Sequence, residues 1–447
     1  MRIVVIGGNA AGMTAASRAK RVDPRLDITV LEKSPFISYS TCGLPYFISD
    51  EVSSDDLVRF TPARLRTERG IEALVDVQVD AVLPSRKLVT GHRTNTGESV
   101  SCSFDRLLLA TGVSASVPDI PGASLQNVFS LNSLADALDA RPSMENAHRV
   151  AIVGGGYVGL EMAEALRKTG KTVSIFERNS HVLTSVDPDM SRVIEYELLR
   201  HGVELRLGTP VDALVGEDTR VIGVKTRSTL GVSPAEAVLL DTGVTPNVEL
   251  CEGADIHVGE AGGIAVNEYM ETNVPSVFAA GNCAEAFCLL RRRPVLHHIG
   301  TVAAKQGRIA GENLAGKRST FSGTVGTTIL KVFDLAVGRA GYSSDEAAAE
   351  RVKAVSVRIE ALDKASYLPG SRKIWIKLIA NRENGMLIGA QSVGYGDVSK
   401  RIDVAATAIT SSMTIEELSQ LDLSYTPPYG SLWDPLLVAA QALLRQL

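Results

Sequence analysis

The pattern of apolar and polar positions predicts the same unit twice. The first copy has a buried strand at Arg2-Ile3-Val4-Val5-Ile6, then the turn Gly7-Gly8-Asn9-Ala10-Ala11-Gly12 and a helix running through Lys20. It closes with a second apolar strand, Ile28-Thr29-Val30-Leu31, ending in Glu32. The second copy starts at Arg149-Val150-Ala151-Ile152-Val153 and turns at Gly154-Gly155-Gly156-Tyr157-Val158-Gly159. A helix through Lys168 follows, then Thr172-Val173-Ser174-Ile175-Phe176 ending in Glu177. Strand, glycine turn, helix and acid-terminated strand are the fingerprint of a dinucleotide-binding βαβ unit. Glycines let backbone amides approach a pyrophosphate at a helix amino terminus, and an acid in this place accepts hydrogen bonds from a ribose. Asn9 stands where the first copy lacks its middle glycine.

Two more apolar runs end in small residues, as a loop packed on a nucleotide requires. One closes on Ala110-Thr111-Gly112, and the other, 272–282, closes on Gly281-Asn282. Together they predict interleaved domains. An FAD-binding domain formed by 1–118 and 246–322 encloses an NAD(P)H-binding domain at 119–245. Residues 323–447 form a third, α+β domain, with strands at 373–379 and 386–394 and helices at 397–413 and 415–421. The fold class is α/β: two interleaved Rossmann-like dinucleotide-binding domains plus an α+β C-terminal dimerisation domain. Residues 301–314 read as a helix, and 424–430, rich in proline, as a rigid extended segment.

Composition narrows the function. A chain of 447 residues has room for about three domains. With 46 Lys plus Arg against 51 Asp plus Glu, the net charge of -5 provides no field for nucleic acid, and Arg291 to Arg293 read as a solvated loop. No apolar run approaches the ~18 residues of a membrane span, so a soluble, cytoplasmic protein is expected. The amino terminus reads as a strand rather than a signal peptide. Five cysteines, at 42, 102, 251, 283 and 288, lack paired spacing, which argues against a disulfide framework or a metal site and leaves one of them free for chemistry.

That cysteine lies in Ser38-Tyr39-Ser40-Thr41-Cys42-Gly43-Leu44-Pro45-Tyr46-Phe47. Together with Gly243-Val244-Thr245-Pro246-Asn247 and Ser424-Tyr425-Thr426-Pro427-Pro428, this segment resembles the single-cysteine branch of the pyridine nucleotide-disulfide oxidoreductases. The branch includes coenzyme A disulfide reductases, NADH oxidases and NADH peroxidases, and the likeness spans essentially the whole chain. It implies FAD, a nicotinamide cofactor, and a homodimer with active sites shared between chains. Cys42 would be the redox thiol, at a helix start whose amide dipoles would lower its pKa. Position 47 is Phe, so Cys42 must cycle as a mixed disulfide with an external thiol or as a sulfenic acid. Tyr425 and Tyr367 match the active-site tyrosines of the coenzyme A disulfide reductases, and no histidine follows His298 to serve as acid-base.

The resemblance also implies that Ser38, Tyr39, Arg18 and Arg21 lie by coenzyme A, and Lys33, Val79 and Thr301 by FAD, with the helix starting at Thr301 facing the flavin. Tyr157, Val158 and Glu161 fall beside the nicotinamide, and Gly243 close to the cofactors. Ala10 replaces the histidine of the peroxidases, which disfavours peroxide chemistry, and Asn282 replaces a usual aspartate at the ribityl chain. His297 and His298 read as loop structure near the flavin. Glu177 favours NADH and the adjacent Arg178 favours NADPH, so NADH is expected to be preferred with NADPH possible. The activity implied is reduction of coenzyme A disulfide, or of coenzyme A persulfide or polysulfide. The alternatives are an NADH oxidase and, in another class, a redox-sensing flavoprotein similar to apoptosis-inducing-factor-like proteins.

Overall fold

The computed structural model describes residues 1–227 and 231–447; residues 228–230, within the stretch assigned to the nicotinamide domain, lie outside the described residues. The amino-terminal sheet has five parallel strands in the order Val277–Ala279, Arg106–Leu109, Arg2–Ile6, Asp27–Leu31, Glu72–Leu74. Its central strand is buried on both faces, which is why it reads as a continuous apolar run. Ile3 and Val5 pack toward the helices Ala10–Val22 and Gly300–Leu314. Val4 and Ile6 face an antiparallel sheet that includes Val77–Leu83 and Leu88–Arg93. The two helices meet through small residues: a Cβ on Gly307 would lie 2.4 Å from the Ala11 oxygen, and one on Gly311 at the same distance from Ala15 oxygen.

A second five-stranded parallel sheet repeats this plan, in the order Glu204–Arg206, Thr172–Phe176, Arg149–Val153, Ala237–Leu240, Val128–Phe129. Val113–Ala115 pairs antiparallel with Val244–Pro246 where the chain passes between the two sheets. The carboxyl-terminal part is a five-stranded antiparallel sheet, from Thr328–Val332 to Ala354–Leu362, with the helices Ser399–Thr410 and Pro435–Leu444 packed on its core. Among the described residues, no helix is long and apolar enough to cross a membrane.

Three details differ from the pattern read off the chain. The run 272–282 contributes only Val277–Ala279 to the sheet, because Pro275 has no N–H to donate and Ser276 turns at φ 69°. The segment 424–430 is not wholly extended: Tyr429 N donates to Thr426 O at 2.9 Å and closes a turn. Arg291 to Arg293 are not simply solvated either. Arg291 is half-buried and pairs with Glu346 at 3.5 Å and Glu350 at 3.4 Å, and Arg293 opens a short strand.

Candidate active site

The two glycine turns, the Cys42 segment and the start of the helix Gly300–Leu314 line one continuous cleft of about 2740 Å³. Both turns are built the same way. Gly7 sits at φ 103° and Gly154 at φ 114°. A Cβ on Gly7 would lie 2.1 Å from Ala110 O, and one on Gly154 2.0 Å from Asp241 O, so only glycine fits either place. A Cβ on Gly12 would strike Gly7 O and one on Gly159 would strike Gly154 O, which holds each helix against its strand.

The acids at the strand ends support these turns. Glu32 accepts from Gly8 N at 2.8 Å and Ser34 N at 2.9 Å. Glu177 does the same, accepting from Gly155 N at 2.8 Å and Asn179 N at 2.7 Å. Each carboxylate keeps lone-pair capacity for a ribose hydroxyl, but its first task is to shape the turn. Glu177 is buried while Arg178 is exposed.

The site fits FAD and a nicotinamide nucleotide. Three helix amino termini at the cleft, at Ala10, Tyr157 and Gly300, have no side-chain cap from their N-cap residue; at the second, Asp241 takes Gly159 N at 2.7 Å, and the remaining amides face the cleft, where an anion would find them. Asn9 spends its amide group on Thr41 Oγ1 at 3.0 Å, tying the first turn to the Cys42 segment. Elsewhere Ser53, Thr61, Ser133, Ser343, Thr414 and Asp434 cap their helices. Asn282 Oδ1 is buried at the cleft wall with no hydrogen-bond partner, and a ribityl hydroxyl would satisfy it.

Of the residues singled out from sequence, Gly7, Gly8, Ala11, Glu32, Lys33, Tyr39, Cys42, Val79, Ala110, Thr111, Gly112, Gly156, Tyr157, Val158, Glu161, Gly243, Gly281, Asn282 and Thr301 line the cleft. Gly12, Gly154, Gly159 and Glu177 support it from behind. Arg18 is committed to Glu312, with Nε at 2.7 Å from its carboxylate, and Arg21 is exposed and donates to Ser17 O. Ser38 sits at φ 55°, bonded through its backbone to Gly8 and Arg59. Tyr367 and Tyr425 are exposed and outside the cleft of their own chain.

Cys42 lies in the short 3-10 turn Thr41–Gly43 before the helix Leu44–Ile48, exposed on the cleft wall. Its thiol pKa is raised, not lowered as the helix argument expected. Protein packed around the sulfur desolvates the thiolate, and the negative charge of Glu161 adds to that. A five-residue helix supplies too small a dipole to reverse it. Burial, then Glu164 and Asp241, lift Glu161 to about 7. Asp241 is pushed up to about 6 by burial while accepting from Gly159 N at 2.7 Å. Tyr39, crowded and near Glu32, rises to about 12. Tyr157 Oη is held by Ser185 Oγ at 3.0 Å and Thr328 Oγ1 at 2.8 Å.

Asp241, Ser185, Thr328 and Gln306, whose side chain accepts from Gly281 N at 2.9 Å, were not found from sequence. Asp241 had a signal: Leu239-Leu240-Asp241-Thr242-Gly243 repeats Leu108-Leu109-Ala110-Thr111-Gly112. His297 is desolvated to a pKa of about 4, with Nε2 buried and unpartnered at the cleft. The atoms of Glu197, His201 and Asp334 could surround a metal ion, yet Arg200 already bonds Glu197 and Asp334 at 2.8 Å and supplies the positive charge there.

Two dinucleotide turns opening on one cleft define a flavin- and nicotinamide-dependent oxidoreductase. The chain belongs to the pyridine nucleotide-disulphide oxidoreductase family: that family's model matches residues 1–307, and its dimerisation domain matches 327–434. It is an FAD-dependent enzyme of the coenzyme A disulfide reductase-like kind, using NAD(P)H. The chain is 38% identical to an NAD(P)H coenzyme A polysulfide/persulfide reductase of Pyrococcus horikoshii over 99% of this chain and 98% of that one. It is 34% identical to an NADH oxidase of Methanocaldococcus jannaschii over 100% and 99% of the two chains. An NAD-dependent persulfide reductase from A. fulgidus superposes with a TM-score of 0.96 at 36% identity, covering 100% of this chain and 83% of that one.

Proposed function

We propose that the protein uses NADH to reduce a disulfide, persulfide or polysulfide of coenzyme A through Cys42. FAD, when bound, supplies two-electron transfer between a nicotinamide hydride and a disulfide. The Cys42 thiolate attacks the substrate disulfide, forming a Cys42 mixed disulfide and releasing one thiolate. Reduction of the mixed disulfide by two electrons returns Cys42 and releases the second thiol. The observation that carries this reading is Cys42 at the cleft wall with Phe47, buried, where a second cysteine would otherwise stand. The relatives named as coenzyme A persulfide and polysulfide reductases support the substrate class.

The domain division at 1–118 with 246–322, 119–245 and 323–447 belongs to the same reading, as does a homodimer whose partner chain brings Tyr367 and Tyr425 to the substrate. A tyrosine can give a departing thiolate its proton, and both are exposed on the single chain. The arrangement of Glu177, buried at the strand end, against exposed Arg178 supports NADH over NADPH. The test is Cys42→Ser. FAD content and anaerobic flavin reduction by NADH should persist, and turnover of coenzyme A disulfide should vanish. Wild-type disulfide turnover in the variant removes the proposal. NADH oxidation that consumes oxygen at the same rate with and without disulfide assigns the oxidase reading instead.

A further inference from the structure

Cys42 has a raised pKa, so making its thiolate at neutral pH calls for a proton acceptor in the cleft. Glu161, on the helix Tyr157–Lys168, is placed between two spaces. It lines the main cleft together with Cys42, and it also lines a separate side pocket bounded by Tyr46, Ser49, Glu51, Glu164, Lys168 and Lys331. That pocket holds about 10 Å³, the size of one water, with hydroxyl, carboxylate and ammonium groups around it to bind one.

The charges facing Glu161 leave it without a counterion. From its own helix, Glu164 is buried and takes Lys168 at 2.9 Å. From the strand Thr328–Val332, Lys331 also goes to Glu164, and Phe333 N donates to it at 2.7 Å. From beyond the helix Leu44–Ile48, Glu51 takes Lys168 at 2.8 Å, and Tyr46 presents a neutral hydroxyl. Behind the turn stands Asp241, another acid. Both lysines are thus spent on Glu51 and Glu164, and Glu161 is left as an unpaired carboxyl that titrates near neutrality.

We propose that Glu161 is a proton relay between the sulfur chemistry at Cys42 and solvent, exchanging its proton through the side pocket. This rests on Cys42 being the redox thiol. In the first half, the Cys42 thiol gives its proton to the Glu161 carboxylate. The thiolate then displaces one substrate thiolate, which takes that proton back from Glu161. In the second half, Glu161 first takes a proton from solvent through the pocket. Two electrons then cleave the mixed disulfide, the second departing thiolate takes that proton and leaves Glu161 a carboxylate again, and the hydrogen released as a proton when NADH becomes NAD returns Cys42 to the thiol. The sum is one disulfide, one NADH and one proton converted to two thiols and NAD.

The test uses the FAD-loaded protein and two readouts: the pH dependence of Cys42 alkylation by iodoacetamide, and the pH dependence of disulfide turnover. In Glu161→Gln the like charge is gone, so the thiolate forms at lower pH. Alkylation at pH 8 should rise about threefold to tenfold, the equivalent of half to one pH unit. Turnover should fall and lose its change near pH 7, and Glu161→Asp should restore part of both. Ser49→Val, which fills the side pocket without touching the cleft, should slow turnover and leave the alkylation profile as it was. Unaltered profiles of both kinds in Glu161→Gln overturn the relay. Should that variant lose FAD, unaltered turnover in Ser49→Val overturns it alone. Failure of the Cys42 reading looks different, because Cys42→Ser then retains turnover whatever Glu161 does.

Discussion

Replacing Glu177 by glutamine tests how the second turn distinguishes its nucleotides. Glu177 Oε2 accepts from Gly155 N at 2.8 Å, while Oε1 accepts from Asn179 N at 2.7 Å and Asn179 Nδ2 at 2.6 Å. An amide keeps one acceptor and turns its NH2 toward an N–H at the other end. Hydrogen bonds to a charged group contribute about 1.5–3 kcal/mol each, so losing one distorts the turn enough to lower kcat/KM for either nucleotide by about 10- to 100-fold. The lost charge acts selectively. Unit charges about 5 Å apart at an effective dielectric of about 20 repel by roughly 3 kcal/mol, so removing the carboxylate relieves a 2'-phosphate and nothing in NADH. The NADH to NADPH ratio of kcat/KM, measured at fixed salt, should therefore fall at least about tenfold from a wild-type value above one. Glu32→Gln, in the first turn, which we propose holds the flavin, should weaken FAD retention and leave the ratio alone. A wild-type preference for NADPH, or an unchanged ratio in Glu177→Gln, refutes the reasoning.

Arg401, almost wholly buried, pairs with Asp434 at 3.1 Å and donates to Asp397 O and Asp363 O, so Arg401→Met leaves the buried Asp434 carboxylate with only Lys400 at 3.6 Å and Leu436 N at 2.9 Å, and frees two carbonyls. The expected loss is about 3–5 kcal/mol, read as a lower urea midpoint at constant slope; a midpoint unchanged from wild type contradicts it. Tyr367→Phe and Tyr425→Phe should each lower disulfide turnover and spare flavin reduction by NADH. Mixed dimers of Cys42→Ser chains with Tyr425→Phe chains should turn over faster than either parent dimer, since one site of each mixed dimer then holds both groups, and turnover no faster than the Tyr425→Phe parent rules out sharing.

The repeated units were legible because parallel strands covered on both faces must be apolar throughout, and because Gly7 and Gly154 occupy places where a Cβ collides with backbone. The two glycine turns of the cleft were therefore readable to the residue. What the sequence hid were meetings between distant segments. Arg18 looks like a free cation until Glu312 from another helix neutralises it. Cys42 looks activated until the crowding around it and Glu161 from the other nucleotide unit raise its pKa. Thr328 gives no local hint that it holds Tyr157 across the joint with the carboxyl-terminal sheet.

The edge strand Val277–Ala279 imposes an order on the birth of this molecule. It pairs with Leu107–Leu109, yet the ribosome delivers it only after the whole second nucleotide unit has emerged. Closing such a gap in a slack chain of about 170 residues costs roughly 4–5 kcal/mol in entropy. The second unit removes much of that cost by folding first, since Val113–Ala115 and Val244–Pro246 then clasp its two ends together. The turn at Gly281 and Asn282, proposed to hold the flavin, comes immediately after the late strand. On the proposed assignment, a nascent chain then retains FAD only once the second unit has folded, and a folding defect in that unit would surface as a protein that never takes up its flavin.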